Sequence, residues 1–376
     1  MFIPSLLFAT GEGALIPIIP AAAAQLGASI PTAGLLAGLF MLGTLLADIP
    51  AAQLVFRLGE RKSMITTAII AAASMTLAYF GNSLISLGVA TLIAGACNSV
   101  FGLARHGYMA HNVPHSHRAR SLSTLGGMFR GGGFLGPAIA SVVIWQFDLH
   151  SVFLVAVSFC LLSAAVLIAT RGAGFKDDKP EPSVGVWRVA KAERHKLVTL
   201  GSASAILASI RTVRSIGVPL WALTIDLHPA TTTLVIAIAG ALDFALFYTS
   251  GQVMDRFGRR AAAVPTLIAS GLVNLIVFTA HDASGFLLIC LGLALANGIG
   301  SGVIMVIGAD LAPPRARNEF LASYRLMTDA AQAGTGPLLS LLTVAFGLAG
   351  AMSSFGLLAL FGGWLMFRYI PRFERH

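Results

Sequence analysis

The sequence predicts an all-α integral membrane protein with twelve transmembrane helices in two pseudo-symmetric six-helix bundles, and three observations carry that prediction. Hydrophobic residues make up 56% of the 376 and charged residues 11%, against roughly 25% charged in soluble domains. At about 20 apolar residues per crossing, this length holds about twelve spans with short loops. The chain also repeats itself. Gly59 and Gly258 lie 199 residues apart, Gly136-Pro137 recurs 200 residues on as Gly336-Pro337, and Pro114 recurs as Pro314 at the same offset. Three features at offsets of 199 or 200 mark an internal duplication, common among transporter folds. Finally, the basic residues fall on alternate loops. Those after spans 2, 4, 6, 8 and 10 and the C-terminal tail carry 3, 2, 7, 3, 2 and 3 Lys/Arg, and the loops after odd-numbered spans carry none.

The spans follow in order from the apolar runs. The first covers residues 1–26 and contains Pro17 and Pro20. A signal peptide is its competing reading, because Ala21 to Ala24 follow, but there is no positively charged segment before it and more membrane comes after. The next five are expected at 31–56, 63–81, 84–112, 120–145 and 151–170, giving an N-terminal bundle over 1–170. Residues 171–196 form a polar linker with Pro180 and Pro182 at its middle. Its second part, Val184 to Lys191, sets apolar residues including Trp187 among basic ones, as a helix lying in the headgroup plane does. Spans 7 to 12 are expected at 197–224, 230–254, 261–280, 284–311, 319–346 and 348–367, within a C-terminal bundle and tail over 197–376.

The net charge of +9 would suggest a nucleic-acid partner in a soluble chain. Here the placement of the charges is a topology signal, the positive-inside rule, which puts both termini in the cytoplasm. Cys97, Cys160 and Cys290 all sit inside apolar runs and imply neither disulfides nor a metal site. No phosphate-binding loop, nucleophile elbow or catalytic-triad order is present, so no cofactor is expected and a self-contained ATP-driven pump is excluded. The lipid bilayer is the partner these observations imply.

Between spans 8 and 9 runs Gly251-Gln252-Val253-Met254-Asp255-Arg256-Phe257-Gly258-Arg259-Arg260. Gly251 permits close helix approach, Gly258 a tight turn, and Asp255 is expected to fix that turn on Arg256 or Arg259 or at a helix N-terminus. The string resembles the signature loop of the major facilitator superfamily. That resemblance implies secondary transport between two six-helix halves, with a second copy of the loop between spans 2 and 3. The copy is there: Arg57, Gly59, Arg61 and Lys62 are kept, but Ala52 replaces the first glycine and Phe56 the aspartate. If the aspartate latches the cytoplasmic gate, only the Asp255 copy is complete.

A charge at membrane depth costs at least ~2.5 kcal/mol on insertion scales, so each one asks for a role. The acids are Glu12, Asp48, Asp243 and Asp329, and the bases Arg105, Arg130, Arg211, Arg214 and Arg325. They occupy spans 1, 2, 4, 5, 7, 8 and 11, which surround the central cavity in the fold this chain resembles. The four acids are candidates for proton coupling. Glu12, Arg105, Arg130, Arg211, Arg214 and Asp243 are candidates for the substrate cavity. Rise per residue places Glu12, Asp48 and Arg105 near mid-membrane, and aligning Pro17 with Pro219 sets Glu12 against Arg214. Gly11, Gly13 and Ala104 are expected to leave open space beside Glu12 and Arg105. Static pairing is the competing reading, and Arg325 and Asp329, four apart on one helix, fit it equally.

Arg105 resembles the span-4 arginine of the drug–proton antiporters of this superfamily. Gly132-Gly133-Phe134-Leu135-Gly136-Pro137 resembles their span-5 motif, with Gly132, Gly136 and Pro137 at its fixed positions. Ala140-Ser141 and Ser123 depart from it, and Arg130 lies outside it. The resemblance implies proton-coupled efflux of small amphipathic molecules or drugs, with Glu12 or Asp48 taking the proton, and with it a small-molecule substrate and protons as partners of a monomer in the cell (inner) membrane. Five arginines against four acids keep a second reading open, transport of an organic anion or sugar-like metabolite. A receptor or enzyme on the same fold is the remote third.

The 20-to-0 distribution of loop Lys/Arg predicts a labelling pattern. In a cysteine-free background, Ser116→Cys and Ala261→Cys should react with an impermeant maleimide from the cytoplasm only, and Asp282→Cys from outside only. Cytoplasmic labelling at position 282 contradicts twelve spans.

Overall fold

Glycines and prolines set where this chain starts, stops and bends. The computed structural model describes residues 1–113, 115–170 and 186–373, so Pro114 and the first part of the linker lie outside the described residues. Span α1 is Phe2–Leu15, a tighter turn at Ile16–Ile18, and Ile19–Gln25. The turn falls where Pro17 and Pro20 remove backbone donors. α2 is Ile30–Leu58, α3 Glu60–Phe80, α4 Leu84–Asn112, α5 His115–Gln146 and α6 Ser151–Ala169. In the second half α7 is Ser202–Thr224, preceded by a wide turn at Leu197–Gly201, α8 is Pro229–Phe257 and α9 Arg259–Leu275. α10 is split into Ala283–Ile299 and Val303–Leu311. Arg317–Phe373 runs as α11 (317–346) and α12 (348–373), parted at Gly347, whose φ of 72° and ψ of 168° reverse the chain with a single residue.

Twelve spans result among the described residues. Ten helical segments are long and apolar enough to cross a membrane; Glu319–Pro371 holds two spans, and α9, at 17 residues, is the remaining one. The sequence boundaries hold to a few residues, with two differences. α2, α5 and α8 run further into the loops, because nothing breaks them before Gly59, Pro114 and Gly258. α10 is interrupted at 300–302, where Gly302 takes a φ of 82°. The carbonyls freed by that break are met by side chains, as they must be at this depth. Arg211 Nη2 donates to Gly300 O (2.9 Å), and Ser250 Oγ to Ile299 O (2.8 Å) and Ser301 O (2.7 Å).

The two signature loops are built alike. Gly59 and Gly258 have φ of 82° and 83° and open α3 and α9. Arg61 donates to the last carbonyls of α6, Leu167 O and Ile168 O, at 2.8–3.0 Å. Its counterpart Arg260 lies 3.6 Å above the Phe367 ring of α12. Among the described residues the expected Asp255 pairing is not made. Arg259 pairs instead with Asp310 at 2.7 Å, and Arg256 lies over Phe257, while Asp255, Phe56 and Arg57 are exposed. The glycine backbone makes the turn without a side-chain clamp. In the linker, Val186–Ala192 forms the expected short helix, with Trp187 83% exposed and Val189 buried.

Because the spans are even in number, Met1 and the end of α12 share one face, here the terminal face. The opposite, distal face carries only short connections, at 26–29, 81–83, 147–150, 225–228, 280–282 and Gly347. Two of them end in capping acids. Asp148 accepts from Ser151 Oγ and N (2.6 and 2.7 Å), and Asp282 from Gly285 N (2.7 Å) and Ser284 Oγ (2.8 Å). These bonds hold both carboxyls below their ordinary values.

The halves meet along two seams, α2 with α11 and α5 with α8. In the first, Ser340 Oγ donates to Pro31 O (2.8 Å), and Gly38 crosses Gly336 so closely that a Cβ on Gly38 would lie 2.7 Å from Gly336 Cα. In the second, Ser141 Oγ donates to Ala230 O (2.8 Å), and Gly240 packs on Phe134. All four contacts lie on the distal side of the membrane centre. Toward the terminal face, Gly127 and Gly251 face open space and Tyr248 is 74% exposed.

Close packing of small residues is what holds helices together in lipid, so Gly336→Val should cost about 1–3 kcal/mol as overpacking and prise the first seam apart. The measurement is thiol reactivity of Ser340→Cys toward an impermeant reagent, expected to rise severalfold when Gly336→Val is added.

Candidate functional site

Each seam ends, near mid-membrane, in a cluster of charge that joins the halves. In the α5–α8 seam Asp243 stands at the centre. Its Oδ1 accepts from Arg130 Nη1 of α5 (3.2 Å), and its Oδ2 from Arg214 Nη1 of α7 (3.2 Å) and Asn297 Nδ2 of α10 (2.7 Å). Arg211, three residues before Arg214, turns to the broken backbone of α10. Arg130 also lies 4.9 Å over the Phe247 ring. These groups line a cavity of about 310 Å³ between α1 and α5 on one side and α7, α8 and α10 on the other. Pro17, Pro137 and Pro219 border it, and Phe129, Phe244 and Leu293 give it an apolar wall. A volume near the lower end of the range for ligand pockets suits a small molecule.

In the α2–α11 seam the balance is reversed. Asp48 Oδ1 accepts from Ser99 Oγ of α4 (2.5 Å) and from Arg325 Nη2 of α11 (3.3 Å). Arg325 Nε reaches Asp329 Oδ2 (3.1 Å), whose Oδ1 accepts from Gln332 Nε2 (3.1 Å). Asp48 and Asp329 thus share the one guanidinium of Arg325, two acids on a single base. The i,i+4 pair of Arg325 and Asp329 read from sequence is therefore one side of a bridge between the halves.

Glu12 lies apart from both clusters. It is 7% exposed and faces α4, where Asn98, with its amide nitrogen turned inward, donates to Oε1 and Oε2 at 3.2 and 3.3 Å. Phe8 stacks on Phe101, ring centroids 4.0 Å apart, so in these antiparallel helices Glu12 stands level with Asn98 and Arg105 falls toward the terminal face. Arg105 is buried, lies 4.5 Å over the Phe129 ring, and has no ion pair among the described residues. Neither Glu12 nor Arg105 is part of the cavity wall, where Gly13 and Phe129 stand instead. The open space expected beside Glu12 is filled by helix backbone. A Cβ on Gly11 would lie 3.2 Å from Ala156 O of α6, and one on Gly13 2.6 Å from Gly132 O of α5. Gly132 and Gly136 of the antiporter-type motif make the other side of that α1–α5 contact, against Ala9 and Ala14.

Asn98 and Asn297, the two asparagines that hold an acid, stand 199 residues apart, the offset of the repeat. Sequence reading that followed only charge passed over both, although the repeat itself could have found them. Among the described residues no group of His, Cys, Asp and Glu is placed to hold a metal ion.

Known proteins agree with this architecture. The family model described as Major Facilitator Superfamily matches residues 1–217. The Staphylopine export protein of Staphylococcus aureus is 26% identical over 163 residues, 43% of this chain and 41% of that relative's length. The crystal structure of a POT family transporter in complex with 5-aminolevulinic acid superposes with a TM-score of 0.83 at 13% identity, covering 100% of this chain and 96% of the other. A bacterial homolog of the human lysosomal transporter Spinster, described as inward-facing and unoccupied, gives 0.79 at 15% identity over 97% and 94%. At these identities the superpositions speak to the fold alone.

Removing the acid at the centre of the α5–α8 cluster leaves partly buried guanidinium groups facing one another. Asp243→Ala should therefore cost about 3–5 kcal/mol, more than Arg130→Ala, which leaves Asp243 its bonds to Arg214 and Asn297. Thermal unfolding of the two variants in detergent tests the order.

Proposed function

The chain belongs to the major facilitator superfamily and is a secondary transporter, not an enzyme; from that premise we propose that it exports small amphipathic molecules in exchange for protons. The observation that carries this reading is the mid-membrane cavity between the bundles, with hydrogen bonds of both seams closing it on the distal side. Loop charge assigns the terminal face to the cytoplasm, so the cavity is in its cytoplasm-facing state, within the cell (inner) membrane and in a single chain. The relative bearing the name of an export protein supports the direction.

Proton coupling is proposed for the acid-rich cluster. When the distal side opens, α2 and α11 part and Asp48 separates from Asp329. While that side is open Asp48, parted from Arg325, takes up a proton, and on reclosing Arg325 pairs with it again and displaces the proton toward the cytoplasm-facing cavity. Arg325 and His106 of α4, with Arg105 beside it, are the other charged or titratable groups near this pair. Each return to the cytoplasm-facing state thus brings in a proton. Glu12 is the rival site, buried on Asn98 rather than at a seam that opens. The signature loops are proposed as the cytoplasmic gate, with Asp255 finding its partner only when that side closes.

Proteoliposomes with an imposed pH gradient and an internal pH dye, challenged with a diverse panel of amphipathic compounds, test the proposal. Compounds that are transported should evoke proton movement. Asp48→Asn and Asp329→Asn should lose that movement yet still exchange substrate down its own gradient. Full proton movement in both variants, with loss in Glu12→Gln, would move the coupling site to α1.

A further inference from the structure

We infer that the transported molecule is a small organic acid, its anionic group received by Arg130, Arg211 and Arg214 and its apolar body laid against Phe129, Phe244 and Leu293. The inference rests on the transport reading and concerns the chemistry of the same cavity.

Charge balance is the first argument. The charged residues on the cavity wall are three arginines and one aspartate, an excess of two positive charges, since arginine keeps its proton in proteins. A protein that placed this excess at membrane depth for packing alone would bear its insertion cost with nothing to offset it. The acid side of the wall is already occupied. Both Asp243 oxygens already accept from Arg130, Arg214 and Asn297, so a cationic ligand would meet an acid whose charge is already paired and an unfavourable field from the excess arginines.

Unmet hydrogen bonding is the second and independent argument. Arg211 spends Nη2 on Gly300 O, and its buried Nε has no partner; Asn297 spends its amide nitrogen on Asp243, and its buried Oδ1 has no donor. Buried polar atoms without partners are uncommon enough to ask for a ligand. A carboxylate or other planar oxyanion suits the fork of an arginine, and an N–H or O–H beside the acid would suit Asn297 Oδ1.

Placement supplies the consequence. Arg130 belongs to the first half, Arg211 and Arg214 to the second. An anion held among them adds a bridge across the α5–α8 seam beside that of Asp243, so the substrate itself strengthens the contact between bundles.

Calorimetric titration of the full chain in nanodiscs with three probes of one shape tests this: 1-naphthoate, the neutral 1-naphthamide and the cationic 1-naphthylmethylammonium. Naphthoate should bind at least tenfold more tightly than either of the others. Arg214→Gln should remove that preference and Arg214→Lys keep part of it, with both variants retaining the parent's melting behaviour within a few degrees. Naphthoate binding no tighter than naphthamide, or absent, overturns the inference, as does a preference for the ammonium. The same nanodisc result separates the two readings. Acid-selective binding by a protein that moves no compound in liposomes sinks transport and keeps the anion site. Transport of cations or neutral compounds, with no acid preference, does the reverse.

Discussion

A charge in the middle of a bilayer must find a partner, and here the partner is repeatedly on another helix and twice in the other half of the molecule. Arg130 with Asp243 and Arg325 with Asp48 join the bundles at the inner ends of their seams. Distal to them the described contacts between the halves are small-residue packing, hydroxyl-to-carbonyl bonds and the Trp145 ring against His228. The cost of burying charge thus fixes where the halves touch and where the cavity lies.

The two clusters are related by the repeat but not identical. Arg130 of α5 and Asp329 of α11 lie one residue out of register at the 200-residue offset of Gly136-Pro137 and Gly336-Pro337, so neighbouring positions of the repeat carry opposite charges. One seam is consequently rich in base and the other in acid, although the backbones are alike. Asn98 and Asn297 keep the same residue at equivalent positions and do the same work, each steadying a carboxylate on a neighbouring helix. The duplicated frame gives the symmetry, and the side chains divide the tasks.

Span order, the loop glycines, the linker helix and the reversal at Gly347 were all legible in the sequence, because each follows from hydrophobic runs or from residues with restricted backbones. Partnerships were harder. Counting rise along each helix set Glu12 level with Arg105, whereas Phe8 on Phe101 shifts the two helices so that Asn98 stands opposite. Depth measured from helix ends ignores such offsets. Glycine was likewise read as open space beside Glu12, when its use there is to admit the backbones of α5 and α6. The break in α10 was missed because Gly300 and Gly302 sit in an otherwise unbroken apolar run, and only Arg211 and Ser250 show why it is tolerated.

The one-residue reversal at Gly347 belongs to a distal face whose connections are all short. Such a face has almost no ectodomain. An antibody or toxin approaching from that side meets little more than helix ends and capping turns, with no domain to grip and no loop long enough to reach into the membrane. Anything that controls this protein from that side must therefore be small enough to enter between the seams, while larger regulators are confined to the face that carries the linker and the two signature loops.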